Sequence, residues 1–412
     1  MHHVVIGAGP AGVTACENLR RLDPGARITL IGDEPEPPYS RMAIPYYLTD
    51  RIAEEGTYLR REPDHYEVWR IGVSRSRVVG VDTRAQRLRL SDGAEVDYDR
   101  LLIATGSSPA LPPIPGIESD GVLPCWTLED ARRIARKARA GSRVVLLGAG
   151  FIGCILLEAL ARRGVALTVV EPMDRMVPRM MNHTAGGLIK AWCEQRGVRV
   201  VTGSKADAVQ PGRPLGVDLD DGRLLEADLV IRATGVRPNV GFLEGSGIDV
   251  DQGVLVSECL ETSAANVFAA GDVCQGRDLS TGTLRVQAIQ PTAVEHGRVA
   301  AYNMVSSCRV RHDGNLNMNV LDTLGLVSSS FGLWDGVDGG DSAELLDAPR
   351  FRYLNLQFRG DRLVGASSLG LTEHVGVLRG LIQSRNGLGP WKDRLRRDPT
   401  RLTEAYLGSA FP

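Results

Sequence analysis

Two glycine clusters, each trailed by an acid, are the residues of this chain whose types and spacing best suit chemistry. The first is Gly7-Ala8-Gly9-Pro10-Ala11-Gly12, followed by Glu34. The second is Gly148-Ala149-Gly150-Phe151-Ile152-Gly153, followed by Glu171. In such a G-x-G-x-x-G run the first glycine permits a tight turn. The second lets a pyrophosphate approach the backbone, and the third lets a helix pack close to its strand. The helix start beyond the glycines presents partial positive charge to phosphates. An acid at the end of the next strand meets a ribose diol. Glu171 can accept from a 2′-hydroxyl and repels a 2′-phosphate, which favours NADH over NADPH, while Arg175 close behind pulls the other way.

These residues need strands and helices to hold them. Val4-Val5-Ile6 reads as a buried strand, residues 13–22 carry helical spacing, and residues 27–31 form the strand that leads to Glu34. The plan then repeats: a strand over residues 143–147, a helix over 154–163 and a strand over 166–170. Each half closes on an apolar run into Ala-Thr-Gly, Leu101 into Ala104-Thr105-Gly106 and Leu229 into Ala233-Thr234-Gly235. A long internal repeat of this kind is far more specific than either glycine motif alone. A further buried strand ends in Ala270-Gly271-Asp272, which places an acid at the carboxyl edge of a parallel sheet, where ligands bind. Gln290-Pro291-Thr292 opens a helix that runs to Met304, with proline near its first turn. Arg41 is the one cation of its segment and is placed to reach a pyrophosphate. Pro109, Pro112, Pro113 and Pro115 make a stiff crossing between halves. From about residue 315 the pattern turns to alternating strands and a basic tail.

With 412 residues the chain has room for two or three domains, and 43% apolar with 24% charged residues is ordinary for a globular protein. A net charge of -2 gives no global pull toward nucleic acid or anionic membrane. The strand begins so close to Met1 that a signal peptide is not expected, and a cytoplasmic location is. Seven scattered cysteines, none in C-x-x-C spacing, read as buried free thiols, and no His, Cys or acid cluster has metal-ligand spacing. His374, after Thr372-Glu373, reads as a histidine near a helix start rather than a proton donor.

In their order along the chain these motifs resemble the pyridine-nucleotide-dependent flavoprotein reductases: rubredoxin and ferredoxin reductases, the flavin part of NADH-nitrite reductase, and NADH oxidases. The resemblance implies an α/β fold of two doubly wound, Rossmann-like nucleotide-binding domains with three-layer ββα organisation, plus a small C-terminal α+β domain. The expected division is an FAD domain over residues 1–113 and 240–314, an NAD(P)H domain over 114–239 and an interface domain over 315–412. By resemblance, Gly7, Gly9, Pro10, Ala11 and Gly12 sit on the FAD pyrophosphate with Arg41 approaching it. Glu34 binds the adenosine ribose, and Val78 lies by the adenine through its backbone. Ala104, Thr105 and Gly106 lie against the cofactor, and Asp272, after Gly271, accepts from the ribityl chain. Thr292 and Ala293 bring a helix start to the flavin C2 carbonyl, where reduced flavin carries negative charge. Gly148, Gly150, Phe151, Ile152, Gly153, Glu171 and Gly235 serve NADH.

Departures from the family pattern narrow the chemistry. Disulfide reductases of this fold carry an early cysteine pair, which is missing here. Where related reductases place one redox cysteine, before Ile44-Pro45-Tyr46-Tyr47, this chain has Met42, and a thioether cannot cycle through a sulfenate or mixed disulfide. Oxygenase-coupled ferredoxin reductases place a lysine near Tyr46 and a glutamate two residues past Gly153, an ion pair beside the flavin. Both partners are missing here: Ile155 stands at the second position, with Glu158 three residues on. The resemblance puts Tyr46, Ile155 and Glu158 near the nicotinamide. No side-chain acid or base is assigned to the hydride transfer itself. The expectation is an FAD-dependent NAD(P)H oxidoreductase passing electrons to a small acidic redox protein or partner subunit. Direct reduction of oxygen and a non-catalytic flavin-binding subunit stand as the alternatives, and a homodimer is compatible with all three. Residues 376–401 hold seven cations against two anions, a local +5 suited to an acidic carrier.

Overall fold

The computed structural model describes residues 1–306 and 308–410. The chain divides into two compact units: residues 1–108 with 236–315, and residues 109–235 with the chain from Leu316 onward.

The first unit is built on a parallel sheet in the order Val267–Ala269, Arg100–Ile103, His2–Ile6, Arg27–Gly32, Ile71–Arg75. Val4, Val5, Leu30, Leu101, Leu102 and Ile103 are fully or almost fully enclosed, as expected of strands covered on both faces. The helices Pro10–Leu22 and Gln290–Val305 meet closely, because Gly297 has no side chain. A Cβ there would lie 2.3 Å from the Ala11 carbonyl oxygen. A three-stranded antiparallel sheet of Val78–Asp82, Arg87–Leu90 and Glu95–Asp97 adds Val78, Val81, Leu88 and Leu90 to the same core.

The second unit repeats the plan. Its parallel sheet runs Arg199–Thr202, Ala166–Glu171, Arg143–Leu147, Leu229–Arg232, Val122–Pro124, with an antiparallel layer of Ala206–Gln210, Leu215–Leu219 and Leu224–Ala227 sharing its core. It also holds a five-stranded antiparallel sheet in the order Met318–Thr323, Leu326–Gly332, Arg362–Leu369, Arg352–Arg359, Asp341–Asp347. The helices Val375–Ser384, Trp391–Arg397 and Leu402–Ala410 follow that sheet. The chain is thus α/β, with two Rossmann-like parts and a C-terminal α+β part.

Two local readings need correction. Helices expected from residues 13 and 154 start at Pro10 and Phe151, so the third glycine of each cluster lies inside the first turn rather than before it. Five cysteines, Cys16, Cys125, Cys154, Cys193 and Cys274, are buried and free. Cys259 and Cys308, however, are joined across 49 positions with Cα atoms 5.3 Å apart, a span that suits a disulfide. Spacing between neighbouring cysteines carries no signal for a pair that only the tertiary fold brings together.

Candidate functional site

Both glycine clusters are cut to the same pattern. Gly7 has φ +108° and donates its N–H to the Ile31 carbonyl at 2.7 Å, and a Cβ on it would sit 2.1 Å from the Ala104 carbonyl oxygen. Gly148 has φ +101°, donates to Val170 at 2.8 Å, and would place a Cβ 2.5 Å from the Ala233 oxygen. Any Cβ on Gly12 would lie 2.0 Å from the Gly7 oxygen, and one on Gly153 would lie 2.1 Å from that of Gly148. Around Gly9 and Gly150 the space is open, with no heavy atom within 4 Å of such a Cβ. The first and third glycines are therefore required by packing. The middle one faces open space, from which its backbone can be approached.

Helix starts reinforce this contrast. The helix Leu128–Lys137 has a complete capping box of Thr127 and Asp130, so its first amides are satisfied internally. The helices Pro10–Leu22, Phe151–Arg162 and Gln290–Val305 have no side-chain cap and no acid in the first turn. Their amides and dipoles are left to an anionic or carbonyl ligand.

Within the first unit several expected residues come together. Arg41 Nη2 pairs with Glu34 Oε1 at 2.5 Å, Arg41 Nη1 donates to the Tyr39 hydroxyl at 2.9 Å, and that hydroxyl donates to the other Glu34 oxygen. The charge of Arg41 also acts on Asp272, which links the two acids. Asp272 accepts from the Ser107 hydroxyl at 3.1 Å, and burial pushes its carboxyl above the usual carboxylate range. A half-buried carboxylate of this kind suits a ligand rich in hydroxyl donors. Thr105 and Gly106 are clamped by Asn239: the Thr105 hydroxyl donates to its carbonyl at 2.9 Å, its side-chain amide donates to Thr105 O at 2.8 Å, and its N–H donates to Gly106 O at 2.9 Å. Val78 begins its strand and is buried; Ala104, Thr292 and Ala293 are buried as well. Met42 and Tyr46 are exposed, at 46% and 51%.

In the second unit Glu171 is buried and both its oxygens accept backbone N–H groups, from Ala149 at 2.7 Å and Met173 at 3.0 Å. Ala149 lies in the glycine turn, so the acid also braces the turn. Arg175 donates to the Met181 and Pro178 carbonyls and pairs with Asp174 at 2.7 Å. Its guanidinium is thus engaged by these three partners. Glu158 pairs with Arg162 one turn along at 2.8 Å, and Ile155 is half-buried. Sequence spacing did not reveal Tyr39 or Asn239. Tyr39, in the Pro-Pro-Tyr stretch just after Glu34, was the one available signal. Among the described residues no group of three or more His, Cys, Asp or Glu is placed to hold a metal ion, and no helix is long and apolar enough to cross a membrane.

A family model for pyridine nucleotide-disulphide oxidoreductases matches residues 1–297. The chain belongs to that family. It is an FAD-dependent oxidoreductase that uses NADH. Its similarity to the NADH-dependent phenylglyoxylate dehydrogenase subunit epsilon of Aromatoleum evansii, 31% identity, spans 99% of this chain and 98% of that one. Similarity to rhodocoxin reductase of Rhodococcus erythropolis, 33% identity, covers 74% of this chain and 73% of that one. Among solved structures, the covalent putidaredoxin reductase–putidaredoxin complex superposes with a TM-score of 0.91 at 25% identity, over 100% of this chain and 99% of the other. The open spaces at Gly9 and Gly150, the uncapped helix starts and the half-buried Asp272 fit one flavin and one nicotinamide dinucleotide.

Proposed function

We propose that this chain passes electrons from NADH through FAD to a one-electron protein carrier, either a small acidic iron–sulfur or rubredoxin-type protein or a partner subunit bearing such a centre. The observation that carries the reading is Met42, which stands, 46% exposed, where a redox cysteine would stand, while every free cysteine among the described residues is buried. Burial holds those thiols protonated, so no thiolate relay is available and the flavin must deliver electrons itself. FAD, when bound, supplies a hydride acceptor for the nicotinamide and a donor of electrons one at a time.

The protein's own part is to bind, align and stabilise charge. Gly9 would bring the FAD pyrophosphate to the start of the helix Pro10–Leu22, in the turn whose packing Gly7 and Gly12 allow, with Arg41 neutralising it from the side. Glu34 takes the adenosine ribose and Val78 borders the adenine. Ala104, Thr105 and Gly106 line the cofactor, Asp272 accepts from the ribityl hydroxyls, and Thr292 and Ala293 direct a helix start toward the flavin C2 carbonyl. Gly148, Gly150, Phe151, Ile152, Gly153, Glu171 and Gly235 would receive NADH, with Ile155 and Glu158 on the same helix as Gly153.

The carrier's acidity follows from the helix Trp391–Arg397. Lys392 is paired with Asp341 and Arg401 with Glu404, whereas Arg394, Arg396 and Arg397 are exposed, with Arg394 laid over the Trp391 ring at 4.4 Å. Steady-state reduction of an acidic ferredoxin or rubredoxin tests the reading. The triple variant Arg394→Gln, Arg396→Gln, Arg397→Gln is expected to slow it by about tenfold at low ionic strength and less at high salt, with ferricyanide reduction by NADH unchanged. Carrier reduction by the variant at the parental rate in low salt would remove the docking role. Oxygen turnover faster than any carrier turnover would mark an oxidase instead.

A further inference from the structure

Behind the Gly271–Asp272 turn lies a buried histidine. His296 is on the helix Gln290–Val305 and is 2% exposed. Its Nδ1 accepts the Gly271 N–H at 3.3 Å, its Nε2 meets the side-chain amide of Asn315 at 3.1 Å, and the ring of His312 stands edge-on with centroids 4.7 Å apart. Asn315 is itself fixed: its N–H donates to Arg277 O at 2.9 Å, and its carbonyl accepts from Leu279 N at 2.9 Å and from the Gln287 amide at 3.1 Å.

A backbone N–H can only donate, so Nδ1 must be bare. The proton of a neutral imidazole then sits on Nε2, and the Asn315 amide turns its oxygen to receive it, its two ends being interchangeable by rotation. Protonating the ring would set an N–H against the N–H of Gly271. Burial and the neighbouring His312 push His296 down to about 3, which keeps it neutral. The other charged groups nearby, Glu295 and Arg298 on the same helix and Asp313 before Asn315, act on His312. Gly271 has φ +79°, and a Cβ on it would lie 3.2 Å from that of Ala11 and 3.4 Å from that of Ala293, so no other residue fits the turn without strain. We infer that His296, as the neutral Nε2–H tautomer, is a positioning residue that locks the Gly271–Asp272 turn and so sets the aim of the Asp272 carboxylate. The inference rests on the flavin reading of Asp272.

The test joins histidine nitrogen NMR, on flavin-free and FAD-loaded protein, with FAD binding by two variants. In Asn the side-chain oxygen is as many bonds from Cα as Nδ1 is in His, so His296→Asn keeps an acceptor for Gly271, whereas His296→Leu removes it. One histidine, assigned by its loss in His296→Asn, is expected to show the Nε2–H tautomer and no titration between about pH 5 and 8. The Leu variant is expected to weaken FAD binding by about tenfold or more, and the Asn variant to stay within about threefold of the parent. An Nδ1–H tautomer, titration in that range, parental FAD binding by the Leu variant, or equal loss in both variants would overturn the inference. If the Leu variant fails to fold, the Asn variant and the tautomer decide. Failure of the parent to bind FAD would strike the flavin reading alone, because the tautomer is also measured without flavin.

Discussion

Glu34 and Glu171 occupy matching places after the two glycine turns, yet they are held by different means. Glu34 is clasped by the side chains of Arg41 and Tyr39, while Glu171 is enclosed and held by the backbone amides of Ala149 and Met173. Spacing was enough to find both acids, because their distance from the glycines is set by one helix and one strand. It was silent on their partners and on the Asn239 clamp of Thr105, which joins residues far apart in sequence. The enclosed Glu171 bears on nucleotide choice. Since like charges brought together cost several kcal/mol, kcat/KM for NADH is expected to exceed that for NADPH by about tenfold or more. Arg175→Ala is expected to leave that ratio nearly unchanged, because its guanidinium is engaged by Met181, Pro178 and Asp174. Kinetics with ferricyanide and each nucleotide measure the ratio, and a ratio that rises sharply toward NADH in the variant would show Arg175 meeting the 2′-phosphate.

At the level of elements, the strand–glycine–helix units were readable because each glycine answers a local steric demand. Gly12 and Gly153 are inside helices, where glycine is ordinarily unfavourable, and their presence there marks a backbone contact that no other residue allows. A pair of variants separates packing from binding. Gly12→Ala is expected to destabilise the flavin-free protein by about 3 kcal/mol or more, since its Cβ must displace the Gly7 carbonyl. Gly9→Ala meets open space at an extended backbone conformation, so its flavin-free melting temperature should match the parent's while FAD binding weakens. Chemical denaturation and flavin titration read the two effects. A Gly9 variant that loses stability but keeps its flavin would contradict the assignment of that space. The helix starts were placed three residues late because the third glycine looked like part of the turn, although its role is inside the helix.

Across the whole molecule, the internal repeat made the α/β architecture accessible from sequence, and the two units show it again in the matched contacts of Gly7 with Ala104 and Gly148 with Ala233. The Cys259–Cys308 link and the His296–Asn315 contact were not accessible, because they join segments whose proximity follows from the fold rather than from any local pattern. What the molecule as a whole is built to do is move reducing equivalents from NADH into FAD. Anaerobic titration of the FAD-reconstituted protein with NADH tests this most directly. The expected result is a released flavin identified as FAD and full bleaching of the bound flavin by about one equivalent of NADH, as a two-electron transfer requires. Release of FMN, failure to retain any flavin, or a bound flavin that NADH does not bleach would contradict it.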